Sequence, residues 1–190
     1  MRALLAASNS INRLLERIAD ATGWLFIVLA AVIFFDVVTR KIGFQIPGFG
    51  STMLQELEWH LHAAIFSLWM GFNYVINGHP RVDSYTEPLS LRGKAWVELG
   101  GCLIFALPYC AVLVWYGIWF VQASYVGGEA SEAPTGLPYR WVLKTIFFVG
   151  LVLLLLSVLS MIARLCVLLF GSPQLAARTN LPIDKKVESI

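Results

Sequence analysis

Charged side chains are scarce in this sequence, and few of them lie within its long apolar stretches. Asp, Glu, Lys and Arg make up 14% of the residues, against about 25% in soluble domains. The net charge is only +2, and no basic patch contains the interleaved aromatic side chains of a nucleic-acid-binding surface. We therefore predict no nucleic acid partner.

Catalytic and redox motifs are also missing. The chain has no GxSxG, HExxH, P-loop or Ser-His-Asp arrangement. Its cysteines, Cys102, Cys110 and Cys166, lie in apolar segments without CxxC spacing, which indicates small packing residues rather than a zinc or redox site. We predict that the protein is not an enzyme and has no catalytic residue, cofactor or metal.

Histidine is rare as well, which bears on haem and metal binding. His60 and His62 lie in one predicted helix, about 200° apart around its axis, whereas bis-histidine haem needs ligands on facing helices. The third histidine, His79, lies outside this helix, in the loop predicted to follow it. A metal site made of Glu58 and His62 alone would lack ligands. The spacing therefore favours a polar helix end.

What the chain does have is long apolar stretches, and hydrophobic residues make up 58% of it. Each stretch reaches the roughly 18–20 residues that a helix needs to cross about 30 Å of hydrocarbon. Hydrocarbon cannot hydrogen-bond a backbone, so these stretches must be helical. We predict an all-α membrane protein with four transmembrane helices, at residues 22–39, 58–76, 95–126 and 141–170.

An amphipathic segment comes before the first span. Ile11, Leu14, Leu15 and Ile18 follow the spacing of one helical face. This pattern predicts a short helix in the membrane interface, although it could instead extend the first span. The predicted domains are a cytoplasmic amphipathic segment (1–20), a four-helix transmembrane domain (21–170) and a cytoplasmic tail (171–190).

Basic residues predict the orientation. Ten of the 14 Lys and Arg residues fall on the side of the termini and four on the other side, so both termini should be cytoplasmic. Pro108 removes a backbone hydrogen bond within the third span, which predicts a kink. The tail after Gly171 is polar and contains two prolines, so we expect it to be loosely ordered.

Two carboxylates lie near the ends of predicted spans, each four residues from a basic side chain. Asp36 precedes Arg40, and Glu98 follows Lys94. Residues at this spacing contact each other on a helix, and the basic side chain can reach toward the interface. We predict interfacial ion pairs that set the depth of the helices.

Three stretches, in order, carry a family resemblance: LQELEWHLHAAIF (54–66), NGHPRVD (77–83) and GGEASEAPTGLPYRW (127–141). Over roughly residues 10–170, the chain resembles the small membrane subunit, DctQ-like, of tripartite ATP-independent periplasmic (TRAP) transporters. The resemblance implies a scaffold in the bacterial inner membrane that partners a large multi-span subunit and a periplasmic substrate-binding protein. It also implies uptake of an organic acid, commonly a carboxylate, driven by an ion gradient that is usually sodium.

The alternative is a self-contained small transporter or channel that works as a homo-oligomer. Such a protein needs polar residues facing a common pore, and the spans offer few. They have no convincing internal repeat, which weakens an inverted-repeat transporter.

The quoted stretches also supply the candidate contact residues. In the second span, Glu56, Glu58 and Trp59 are predicted to contact the large subunit or lipid, with Trp59 as an interface residue of large area. In the following loop, Arg81 and Asp83 are predicted to organise the chain between the second and third spans.

The loop before the last span is the predicted docking surface for the binding protein. Its glycines and prolines favour a defined irregular path over a helix. The candidate residues of this surface are Glu129, Glu132, Pro138 and Arg140.

Overall fold

The structure, a computed structural model, describes residues 1–44, 50–78 and 86–181. In these ranges the regular structure is helical and contains no strand, which confirms the all-α class. The elements are α1 (Arg2–Gly23), α2 (Leu25–Ile42), α3 (Ser51–Val75), α4 (Leu91–Gly101), a π-helical segment (Cys102–Ala106), α5 (Leu107–Val126), α6 (Arg140–Phe170) and α7 (Pro173–Ala176).

Three continuous helical stretches of the described chain are long and apolar enough to cross a membrane: Arg2–Ile42, Leu91–Val126 and Arg140–Phe170. The second predicted span, within α3, is not among them because glutamates and histidines occupy its first half. α3 packs against α1, α2 and α6, so protein rather than lipid covers much of its surface. A fourth span stays a prediction.

The N-terminal amphipathic segment forms part of a longer helix than expected. α1 begins at Arg2 and joins α2 through Trp24, whose backbone is itself right-handed helical (φ −64°, ψ −25°). α1 packs against α3 and α6, and the Trp69 indole N–H donates to the Ala19 carbonyl oxygen at 3.0 Å. The segment therefore extends the helix of the first span, and its position in the membrane interface stays a prediction.

α3 and α6 cross with their backbones close together at two glycines. A Cβ atom on Gly71 would lie 2.7 Å from the Leu153 carbonyl oxygen, and one on Gly150 would lie 2.8 Å from the Ser67 carbonyl carbon. Real Cβ atoms do not approach backbone this closely. Glycine at both positions is therefore what allows this crossing.

A π-helical segment, Cys102–Ala106, ends two residues before Pro108, where the sequence predicts a kink; the kink itself stays a prediction. The Leu107 N–H donates to the Cys102 carbonyl oxygen, five residues back. A proline has no N–H for the usual helical bond, and π-helical turns accommodate such interruptions within long helices. Helix α4, this segment and α5 consequently form one continuous stretch.

The tail packs against the bundle as far as Leu181, so our expectation of a loosely ordered tail is wrong for residues 171–181. Leu181 is only 4% exposed and packs into a core cluster with α4 and α6 residues such as Leu99 and Leu165. The Thr179 carbonyl oxygen accepts a hydrogen bond from Arg164. An apolar side chain and a partly buried cation thus hold residues 171–181 against the bundle, while 182–190 lie outside the described residues.

Candidate functional site at the loop end of the bundle

Residues 127–139 connect α5 to α6, and we call the side where they lie the loop end of the bundle. Backbone hydrogen bonds close this loop on itself. The Ser131 N–H donates to the Leu137 carbonyl oxygen at 3.1 Å, and the Arg140 N–H donates to the Glu129 carbonyl oxygen at 3.0 Å. Tyr139 has a left-handed backbone (φ 61°) just before α6 begins. The loop accordingly has a defined path.

Glu56, near the start of α3, holds this loop. Its carboxylate is 8% exposed; Oε1 accepts from the Ser131 hydroxyl, and Oε2 accepts from the Leu137 N–H at 2.5 Å. A Cβ atom on Gly136 would lie 2.8 Å from Oε1. Glu56, which we predicted as a contact of the large subunit or of lipid, thus has both oxygens bonded within its own chain.

Sequence reasoning missed this contact. Glu56 and Ser131 are 75 positions apart, and neither lies in a motif that specifies the other. A buried carboxylate needs hydrogen-bond donors, but the sequence does not say which donors fold over it.

The exposed Trp59 and the partly buried Arg140 lie beside the buried glutamate. The Arg140 guanidinium carbon lies 6.0 Å from the centre of the Trp59 ring, within the range of a cation–π contact. Trp59 is 43% exposed, and its ring centre lies 3.9 Å from that of His60. A large aromatic face is thus available to a partner or to lipid next to the loop.

The two loop glutamates lie in different surroundings. Glu129 forms an ion pair with Lys144 of α6; hydrogen bonding to Lys144, then to Ser124, holds the pKa of the Glu129 carboxyl below its ordinary value of 4.5. Glu132 and Pro138 are exposed. Glu129 therefore ties the loop to α6, whereas Glu132 is accessible from outside.

The second carboxylate group at the loop end lies between α2 and α3. Asp36 is fully buried and forms an ion pair with Arg40, and its Oδ1 accepts from the Ser51 hydroxyl at 3.2 Å. Glu58 interacts electrostatically with Asp36, and its own Oε1 is buried without a hydrogen-bond partner among the described residues. Asp36 thus connects the end of α2 to the start of α3.

The remaining candidate residues lie elsewhere. Lys94 and Glu98 lie one turn apart on α4, and their ion pair stays a prediction. Arg81 and Asp83 lie outside the described residues. In the described part of the chain, no three His, Cys, Asp or Glu side chains are grouped so that they could hold a metal ion.

The loop end also lies within the region that matches a known family. The family model described as tripartite ATP-independent periplasmic transporters, DctQ component, matches residues 29–167, well over half of the chain. Comparison with curated proteins and with solved structures finds no match. The members of this family are transporter components, and the family is not an enzyme family. On this match, the chain belongs to the DctQ component family and is a membrane subunit of a TRAP transporter.

Proposed function

We propose that this subunit is a scaffold for the large membrane component of a secondary transporter that imports an organic acid, a carboxylate, with a sodium gradient. In TRAP systems, DctQ components work with a large membrane component and a periplasmic binding protein. The ion and substrate sites would then belong to the large component. This subunit would hold that component in the membrane, with both termini in the cytoplasm.

The placement of charge is the observation that carries the scaffold role. The chain has two long stretches without Asp, Glu, Lys or Arg, at residues 99–128 and 145–163. They make up most of the two longest apolar helices after α3. Charged groups lie near the helix ends instead, where Asp36 bonds to Arg40 and Glu56 bonds to the loop. Coordination of sodium or a substrate carboxylate at mid-membrane needs charged or polar ligands, which this subunit would leave to its partner.

Large aromatic side chains cover the outer faces of α2 and α5, which supports a broad apolar contact area. Phe34 on α2 and Trp115 and Tyr116 on α5 are all more than 60% exposed. In a membrane such faces contact lipid or another helix bundle. Their area suits a subunit that widens the membrane-embedded part of a complex.

Uptake in vesicles tests this role. We expect the purified subunit alone to give no uptake of candidate carboxylates under an inward sodium gradient. Addition of the large component and the binding protein should give uptake that stops when the gradient is collapsed. Sodium-driven uptake by the subunit alone would instead support a self-contained homo-oligomeric transporter.

The 127–139 loop is proposed to help dock the binding protein, and Glu132 offers the sharpest test. Because Glu132 is exposed and Glu129 is tied to Lys144, Glu132→Lys changes the surface charge without disturbing the loop. We expect uptake by the complete system to fall about threefold or more at low ionic strength and to recover at high salt, since rim charges act mainly on association rate.

The matched control is Glu87→Lys, which reverses another exposed acid in the segment between α3 and α4, at the opposite end of the bundle. It should leave uptake unchanged. Equal effects of the two substitutions, or no effect of Glu132→Lys at any salt concentration while the complex stays intact, would leave the loop as a connector only.

A further inference from the structure

A cavity opens at the other end of the bundle, where the chain begins and α6 ends; we call this the terminal end. Its volume is about 450 Å³, and it lies between the start of α1 and the tail. The residues that line it are Arg2, Leu5, Ala6, Asn9, Ser172, Gln174, Leu175 and Arg178. All five polar members carry hydrogen-bond donors, and none is acidic.

The basic side chains around this cavity form no ion pair with an acidic side chain among the described residues. Arg2 and Arg178 are exposed, and neither forms an ion pair within residues 1–44, 50–78 and 86–181. Nearby, the partly buried Arg164 donates to the Ser8 hydroxyl at 2.7 Å and also to the Thr179 carbonyl oxygen. These acceptors are neutral, so they satisfy its donors without cancelling its charge.

Asn9 links the partly buried Arg164 to the cavity. Its side-chain oxygen accepts from the Arg164 guanidinium at 2.8 Å, which leaves the hydrogens of its amide nitrogen for another acceptor. Arg2 and Arg178 add guanidinium groups, whose planar fork suits two oxygens of a phosphate. The cavity therefore combines several donors with a surplus of positive charge, as an anion site requires.

The cavity also has an apolar side. Leu5 is buried, Leu175 is partly buried, and both lie beside the end of α6, which is long and apolar enough to span a membrane. A group that brings a phosphate together with hydrocarbon fits this combination better than a soluble ion does. Basic pockets of this kind on the cytoplasmic side of membrane helices bind anionic headgroups.

We propose that the cavity between α1 and the tail binds the phosphate group of an anionic membrane phospholipid. The Arg2 and Arg178 guanidinium groups donate hydrogen bonds to the phosphate oxygens, and the Asn9 amide nitrogen donates to them as well. The bound headgroup joins the N-terminal helix to the tail, on the side where the predicted orientation places the cytoplasmic leaflet. The proposal depends on the membrane location of the chain and is independent of the scaffold role.

Native mass spectrometry of the delipidated full chain in detergent tests this site, with phosphatidylglycerol as the probe. We expect the double variant Arg2→Gln, Arg178→Gln to bind it roughly tenfold or more weakly than the unaltered chain, since each arginine near an anionic lipid strengthens binding about fivefold. Zwitterionic phosphatidylcholine should bind weakly to both proteins.

The control is Arg13→Gln with Arg17→Gln, which removes the same charge from exposed positions of α1 that do not line the cavity. It should change the affinity less than about twofold, because diffuse attraction is screened over a Debye length. Equal losses in the two double variants would overturn the site. Displacement of the lipid by millimolar inorganic phosphate would assign the cavity to a soluble anion instead. Binding that requires deletion of residues 182–190 would assign it to Asp184 or Glu188 of the chain itself.

Discussion

Leucine in place of Gly150 is expected to destabilise the fold strongly. The backbone of α3 at Ser67 lies where the new side chain would begin, and a helix backbone cannot move aside as a flexible side chain can. Overpacking of this kind costs about 1–3 kcal/mol or more, so we expect a loss of about 3 kcal/mol in the free energy of unfolding. Denaturant unfolding of the purified chain in detergent measures it.

Gly100→Leu is the matched control, since it makes the same change within a helix. A Cβ atom on Gly100 meets nothing within 4 Å, and leucine favours the helix over glycine by up to about 1 kcal/mol. The control should therefore unfold at the same or a higher denaturant concentration. If the two variants unfold alike, the close crossing of α3 and α6 does not contribute to stability.

The second large effect is expected from Glu56→Leu at the loop end. Leucine roughly keeps the bulk but removes both acceptors, so that the Ser131 hydroxyl and the Leu137 N–H lose their partner. Hydrogen bonds to a charged group contribute about 1.5–3 kcal/mol each, and we expect a loss of about 2–4 kcal/mol. The loop should also open, which limited proteolysis within residues 130–136 would detect.

Two further variants separate the buried bonds from a general effect of charge. Glu132→Leu removes an exposed carboxylate of the same loop and should change stability by less than about 0.5 kcal/mol. Glu56→Gln can still accept from Leu137 and donate to Ser131, so it should retain most of the stability and the protease resistance. A Glu56→Leu protein that is as stable and as resistant as Glu132→Leu would show that the carboxylate does not hold the loop.

The parts of the fold that were predictable are those that depend on neighbours in the sequence. Residues 95–126 and 141–170 are predominantly apolar, and a backbone in hydrocarbon satisfies its hydrogen bonds by forming a helix; the structure has helical stretches of 36 and 31 residues there. The i, i+4 spacing of Asp36 and Arg40 likewise placed them together. For these elements, periodicity and composition were sufficient.

α3 shows where this reasoning stops. The helix begins at Ser51, seven residues before the predicted span, and its buried polar residue near the start, Glu56, is covered by another part of the protein. Glu56 lies beneath the loop, and Trp69, further along the helix, donates to the Ala19 carbonyl oxygen of α1. Hydropathy indicates whether a segment on its own favours water or hydrocarbon. It contains no information on whether another helix or loop of the same protein covers that segment.

By itself, the sequence determined that this is an all-helical membrane protein with charges near the helix ends, and its motifs indicated the family. Only the tertiary structure decided that Glu56 holds the 127–139 loop, that α3 and α6 meet at glycines, and that the tail packs against the bundle through Leu181 and the bond from Arg164. The physical reason is the distance along the sequence over which each kind of interaction acts. Helix formation and membrane partitioning act within a few turns of one segment, whereas these contacts join residues that only packing brings together.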